Sequence, residues 1–473
     1  MIMHEKLGIC GEKQHVIILL LIQVIVILLM GILMTYGPVA RPNVQRNHSM
    51  YQDIHVMIWI GFGFLMTFLR KYGQSAVGLT FLVGAILVQV AMLCEGVFNI
   101  EKNGKAPLSL ESLLSADVAV AAPLISMGAL LGKTTYIQLI IMGVIELIVY
   151  TINKYIGEHH FVAVDAGDSM YVHAFGAYFG LAVSFMFGMK EKPKENSLEG
   201  SSYNSDIFAM VGTLFLWLFW PSFNSAALKG DEQHRAIINT LLSIAGSCVV
   251  SFAVSAFVSK QSKFNMVHVQ NSTLAGGVAI GTAAGMMCEP VGSLMIGSAA
   301  GMISVLGYKY LTPLIQKHLR IHDTCGIHNL HGMPAILAGL FGALFAGLAT
   351  EADYNDSLYE IFPARIPGLG PNLTEINENY RLSLKPGWNR SAGQQAAYQL
   401  LALAVTLAVA IVSGLITGFI LRMPICGNIA EEQKFDDIVL WEFEDENVVC
   451  EISAVSKDGR SSRATEQISM GYI

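Results

Sequence analysis

Two stretches of this chain carry side chains able to handle protons inside an apolar element. Asp165-Ala-Gly-Asp-Ser-Met-Tyr-Val-His173 leads into one apolar segment, and Asp323-Thr-Cys-Gly-Ile-His-Asn-Leu-His331 leads into another. Each sets an acid at the mouth and a histidine eight residues further in, followed by small and apolar residues (174–177 and 332–335). At 1.5 Å per helical residue, the histidine lies roughly 12 Å inward of the acid. In a bilayer core of about 30 Å, both imidazoles then sit near the midplane. An ionisable group there costs at least a few kcal/mol and marks function by default. Imidazole, with a reference pKa of about 6.5, accepts or donates a proton around neutrality. Two rings sharing one proton would form a fixed polar rung in an apolar tube. One such histidine is equally well read as a core residue bonded to a carbonyl; two at matched positions are not. Asp165 and Asp323 read first as helix N-caps, with a secondary part in shaping the entrance.

The elements that must hold these residues are membrane helices. Of 473 residues, 53% are hydrophobic and only 14% charged, where a soluble domain carries nearer a quarter. About twelve apolar stretches are long enough to span, at approximately 16–36, 54–70, 75–98, 113–131, 136–153, 166–189, 207–226, 236–259, 270–288, 291–312, 324–348 and 395–421. The first is too long for a signal-peptide core and lacks an A-x-A site, so it is read as uncleaved. The expected fold is therefore an all-α polytopic membrane protein of about twelve transmembrane helices. The histidine segments are the sixth and eleventh, an odd number of spans apart, and so run antiparallel. That fits an inverted five-helix repeat, second to sixth and seventh to eleventh spans, around a central pathway. Residues 1–421 make the transmembrane domain, with an outer loop at 349–393, and 422–473 a cytoplasmic tail. A tight turn is expected at Glu289-Pro290.

Charge and sequons give one orientation. With the N-terminus in the cytoplasm, the inner loops hold Arg70 and Lys71, Lys133, Lys190 with Lys192 and Lys194, Lys260 with Lys263, and Lys309 with Lys317 and Arg320. That is the positive-inside bias. The outer loops then hold the N-glycosylation sequons at Asn47, Asn355, Asn372 and Asn389, as acceptor sites should. Both termini are cytoplasmic on this reading. Glycines such as Gly276, Gly277, Gly281, Gly332 and Gly339 read as close helix packing. The seven cysteines are scattered without a CxxC pair, so neither a metal site nor a disulfide framework is expected. No basic patch with interleaved aromatics suggests nucleic acid. No nucleophile–base set is visible, so neither an enzyme nor a cofactor is expected.

Several runs go further. Gln52-Asp-Ile-His-Val-Met57 with Gly61 through Phe68, Asp165 through Gly180, Gly212 through Trp217 with Trp220-Pro-Ser-Phe-Asn-Ser225, Met266 through Gly277, and Asp323 through Pro334 resemble the Rh glycoproteins. These are the animal branch of the ammonium transporter/Rh superfamily, and the resemblance runs into Phe435-Asp-Asp-Ile-Val-Leu-Trp-Glu442. It implies a homotrimer in the plasma membrane, each subunit with a narrow ammonia pore lined by twin histidines, which fall on His173 and His331. The family's inner-gate phenylalanine falls on Phe223, beside Asn224. Three positions depart from the family. The outer-gate phenylalanine is Val118, an outer-vestibule glutamate is Lys154, and a pore-floor aspartate of some members is Asn265. A valine offers no cation–π face, and a lysine at the mouth would repel ammonium.

Physics independently favours a neutral permeant. A bare cation in a dry apolar tube faces a penalty of up to tens of kcal/mol, against a few for a small neutral amine keeping one hydrogen bond. Glu95 and Glu146 are the nearest acids read within spans, both toward the predicted outer ends. The expected function is conduction of ammonia, recruited as ammonium, with methylammonium as a candidate second substrate. The alternatives are passage of carbon dioxide, proton-coupled transport with the histidines as relay, or a structural or sensing membrane glycoprotein with a weak pore and a cytoplasmic partner for its tail.

Overall fold

Four of the long helices are started by reciprocal capping boxes, which satisfy backbone N–H groups that have no partner inside the helix. These are Ser109 with Ser112, Thr135 with Gln138, Ser202 with Ser205, and Ser391 with Gln394. The computed structural model describes residues 2–36, 49–188 and 198–443, with the backbone alone for 2–13, 36 and 425. Asn47, Lys190, Lys192, Lys194 and the tail beyond 443 lie outside the described residues.

Among the described residues, ten helices are long and apolar enough to cross a membrane. They are α1 (Gln14–Leu33), α3 (Gly73–Asn99), α4 (Leu110–Leu130), α5 (Tyr136–His160), α6 (Ser169–Phe187), α7 (Tyr203–Ser225), α8 (Gly230–Phe257), α10 (Glu289–Leu319), α11 (His328–Leu348) and α12 (Ala392–Leu421). The expected spans at 54–70 and 270–288 are helical too, but broken. The first, α2, is a run of short segments from Ser49–Val56 to Met66–Phe68, widened by a π-turn at Met57–Phe62. The second, α9, is the pair Met266–Ser272 and Ala275–Gly281. The turn expected at Glu289-Pro290 is present, with Glu289 at φ +57° and Pro290 in the first turn of α10.

Apolar side chains face outward as well as into the core, and small polar ones are buried between helices. Ser243, Ser247, Ser251 and Ser255 form a fully buried row on α8, while Val249 and Phe257 of the same helix face outward. Ser243 donates to the Gly276 carbonyl (2.8 Å) and Ser247 to the Ser272 carbonyl (2.7 Å). Small polar residues of this kind bring membrane helices close. Gly176 does the same for α6 on α4: a Cβ there would lie 2.6 Å from the Ala122 carbonyl oxygen.

The first part of the tail is folded onto the bundle. Asp437 accepts from the N–H groups of Gln74 (2.9 Å) and Ser75 (2.8 Å), capping α3, and Trp441 Nε1 donates to Ser75 Oγ (2.9 Å). The Phe435 N–H donates to the Gly132 carbonyl (3.0 Å). Beneath it, Lys133 is not a free loop charge. Its ammonium donates to the His322 carbonyl (2.7 Å) and lies 2.9 Å from His322 Nδ1. Burial pulls Lys133 down to about 7.

Candidate functional site

Both histidines arrive on the same kind of turn. Asp165 accepts from the N–H groups of Met170 (2.7 Å) and Tyr171 (3.0 Å), and Thr282 donates to its other oxygen (2.5 Å). Asp323 accepts from Ile327 and His328, each at 2.9 Å. Each acid thus accepts backbone N–H groups of the turn that follows it, although the residues at the helix starts are Asp168 and Ile327. Behind each acid the chain makes a left-handed step, at Asp168 (φ +50°) and Gly326 (φ +72°). It then winds into a π-turn, Ser169–Ala174 in one helix and His328–Gly332 in the other. Such turns widen the helix and re-aim side chains. The two mouths are also tied to opposite partners in matching fashion. Gly167 N–H donates to the Gly281 carbonyl at the end of α9 (2.9 Å), and Cys325 N–H to the Gly128 carbonyl near the end of α4 (3.1 Å).

The result is a paired imidazole. His173 Nδ1 and His331 Nδ1 are 3.0 Å apart, with ring centroids 5.1 Å apart and planes within 5°. The residues are 0% and 3% exposed. At that distance one Nδ1 carries the proton and the other accepts it, so the two Nε2 atoms have opposite characters, one donor and one acceptor. His173 Nε2 is buried with no partner in the protein. A small molecule that both donates and accepts therefore meets a suitable atom on either ring.

Apolar rings frame the pair. Phe62 stacks on His331 (6.2 Å, 13°), Trp220 on His173 (5.7 Å, 19°), and Phe223 lies tilted 5.7 Å from His173. Trp220 has room because Gly277 has no side chain; a Cβ there would lie 2.6 Å from the indole. On the His331 side is a cavity of ≈ 20 Å³ with Phe62, Phe68, Leu124, Ile125 and Leu330 among its walls, enough for a molecule of water's size.

Phe223, where the resemblance sets a gate phenylalanine, therefore lies beside the pair. Asn224 is fully buried, and its amide donates to Thr240 (3.0 Å) and the Gly277 carbonyl (3.1 Å), tying α7 to α8 and α9. Val118 is buried in α4, four residues before Ala122. Asn265 caps the start of α9, accepting from His268 N–H (3.0 Å). Asn355, Asn372 and Asn389 are exposed. Glu146 is fully buried, and Ser126 donates to it (2.7 Å) while also lying 2.7 Å from the Gly176 carbonyl. It thus sits at the level of the α6 residues just past His173, deeper than the outer end.

Lys154 is not the bare positive charge the sequence suggested. Its ammonium lies 2.9 Å from the Asp168 carboxylate and 3.8 Å from Glu158. Lys154 and Glu158 line a cavity of ≈ 180 Å³ together with Glu95. Two carboxylates therefore pair with the ammonium and a third acid shares the cavity wall, so the neighbourhood does not repel a cation as an isolated lysine would.

Sequence reasoning left Phe62 and Trp220 without a role and overlooked Asp117, which is buried in α4 and bonded to His55. The glycine at 277, beside an aromatic-rich α7, was the available signal for Trp220.

The Ammonium Transporter Family pattern matches residues 16–442. The chain is 47% identical over 393 residues to ammonium transporter Rh type B-B of Xenopus laevis, covering 83% of this chain and 81% of that protein. It is 44% identical over 442 residues to ammonium transporter Rh type B of Danio rerio, covering 90% and 92%. Among solved structures it is similar to Nitrosomonas europaea Rh50, described with a mechanism of conduction by the Rhesus family of channels. There the TM-score is 0.66 at 30% identity, covering 83% of this chain and 91% of that one.

Proposed function

Because the chain belongs to the ammonium transporter family, on its Rh branch, we propose that it conducts ammonia as a neutral molecule past the His173–His331 pair. The observation that carries this reading is the 3.0 Å Nδ1–Nδ1 contact, buried between apolar rings, with His173 Nε2 left unpartnered. Ammonia both donates and accepts, so either Nε2 atom can take one of its hydrogen bonds in a place where an unpaired polar group costs about 1–3 kcal/mol. The framing rings Phe62, Trp220 and Phe223 offer a travelling cation no carboxylate. Glu146 is turned to Ser126 instead. Ammonium reaches the outer mouth and gives its proton to water on the outside. Ammonia passes the pair and is reprotonated inside.

The same reading makes twelve spans out of the ten long helices and the broken α2 and α9. It relates α2–α6 to α7–α11 as an inverted repeat. The reciprocal bonds Gly167 to Gly281 and Cys325 to Gly128 support it, since an exchange of α6 with α11 and α9 with α4 turns one into the other. The subunits form a homotrimer in the plasma membrane with both termini cytoplasmic, and Asn47, Asn355, Asn372 and Asn389 face outward. Protein made in animal cells should then lose apparent mass on deglycosylation; no shift, together with inward labelling of the 349–393 loop, would reverse the orientation.

Stopped-flow recording of internal pH tests the function. Proteoliposomes given an inward ammonium gradient should alkalinise faster than protein-free liposomes of the same lipid, because entering ammonia takes up a proton. Equal rates would remove the reading.

A further inference from the structure

The outer turn of α2 bonds to α7 and α4 through the residues that precede Phe223 and Val118. Ser222 donates to Asp53 at 2.7 Å, and Phe223 follows Ser222. Two residues along, His55 Nδ1 lies 2.7 Å from Asp117 Oδ2, and Val118 follows Asp117. The Asp117 side chain is 2% exposed, whereas that of His55 is 42% exposed.

His55 Nδ1 has competing partners. Trp59 Nε1 donates toward the same atom at 3.0 Å, and the Tyr51 hydroxyl lies 3.5 Å away. One nitrogen cannot serve both Asp117 and Trp59. Carrying a proton, it donates to the carboxylate; without one, it accepts from the indole and presents a lone pair to Asp117. Trp59 is a fixed alternative, since its ring rests on Phe81 (5.6 Å) and on Gly84, where a Cβ would lie 2.8 Å from it. The groups facing the imidazole are Tyr51 and Trp59 of α2 and Asp117 of α4, while Asp53 on the same turn is engaged by Ser222 of α7. Histidine is the side chain that changes charge between about pH 5 and 8, and the imidazolium–carboxylate bond is the stronger, charge-assisted form.

We propose that His55 and Asp117 form a proton-operated latch beside the outer mouth. With His55 protonated, the imidazolium holds Asp117 and balances its charge; with His55 neutral, the ring can still donate to Asp117 through an Nδ1–H or accept from Trp59, but it balances no charge, and the carboxylate draws ammonium toward Val118. The latch rests on the ammonia-conduction reading. It makes ammonium capture weaker when the outside is acidic, and it acts on affinity at the mouth, apart from the histidine pair.

The test uses full-length protein in liposomes with the inside pH clamped and the outside at about pH 5.5 or about pH 7.5. Flux into protein-free liposomes at each pH is subtracted, and half-saturating ammonium is read separately from maximal flux. For the wild type, half-saturating ammonium should fall by about threefold or more between the acidic and the neutral outside, as the unbalanced carboxylate behind the part-exposed His55 ring attracts a cation. His55→Gln should hold the low value at both pH values, and Asp117→Asn the high value at both. A general structural defect would move the two variants the same way, which would overturn the latch. So would a wild-type pH dependence that survives in His55→Gln. A wild type that conducts no faster than bare lipid would overturn the conduction reading itself, and the latch with it.

Discussion

Replacing His173 or His331 by alanine is expected to lower ammonia flux by about five- to hundredfold, the equivalent of leaving one buried polar group unpaired at about 1–3 kcal/mol. The two rings hold each other: each Nδ1 is the other's hydrogen-bond partner at 3.0 Å. Alanine at either position removes one Nε2 site outright and leaves the surviving Nδ1 facing Phe62, Trp220 and Phe223, which offer no acceptor in their rings. Water entering the gap would satisfy that nitrogen but would also replace an ordered rung with a mobile one. The double variant should fall little further than either single one, because the residues act as a unit. Stopped-flow rates at matched protein incorporation measure this. Single variants that conduct like wild type would show that the pair is packing, not pathway.

The second large effect concerns Val118. A phenylalanine there adds a π-face at the mouth, and a cation–π contact is worth roughly 0.5–2 kcal/mol. Val118→Phe should therefore lower half-saturating ammonium by about two- to thirtyfold and discriminate more strongly against methylammonium. Val118 is 7% exposed, so the larger ring also brings an overpacking cost of about 1–3 kcal/mol, visible as a lower melting temperature in detergent. Concentration-dependent flux of both amines in wild type and variant measures the first effect. Identical half-saturation and selectivity would mean that position 118 only packs α4.

Much of this site was legible because it depends on spacing along the chain. The acid-to-histidine interval singled out His173 and His331 as a matched couple, and each acid accepts N–H groups of the turn that follows it. What was not legible depends on contacts across the chain. The rings of Phe62 and Trp220 reach the histidines from α2 and α7, and no periodicity within either helix announces it. Asp117 was overlooked because it lies in an alanine- and valine-rich run whose hydropathy hides one acid; its partner is 62 residues away. Lys154 reads as a lone cation until Asp168, 14 residues on, folds back against it. Lys133 counts as a loop charge by composition, yet the chain folds His322 over it. The two stretches expected as further spans, α2 and α9, carry wide turns or a step at Thr273 and Leu274, which hydropathy averages away.

Recording internal pH and membrane potential together in the same proteoliposomes under an inward ammonium gradient separates neutral from charged passage. Neutral ammonia should raise internal pH with no inside-positive potential beyond that of protein-free liposomes, and added valinomycin with potassium should leave the rate unchanged. An inside-positive potential that grows with ammonium, and a rate that rises when valinomycin dissipates it, would contradict neutral passage at the His173–His331 pair.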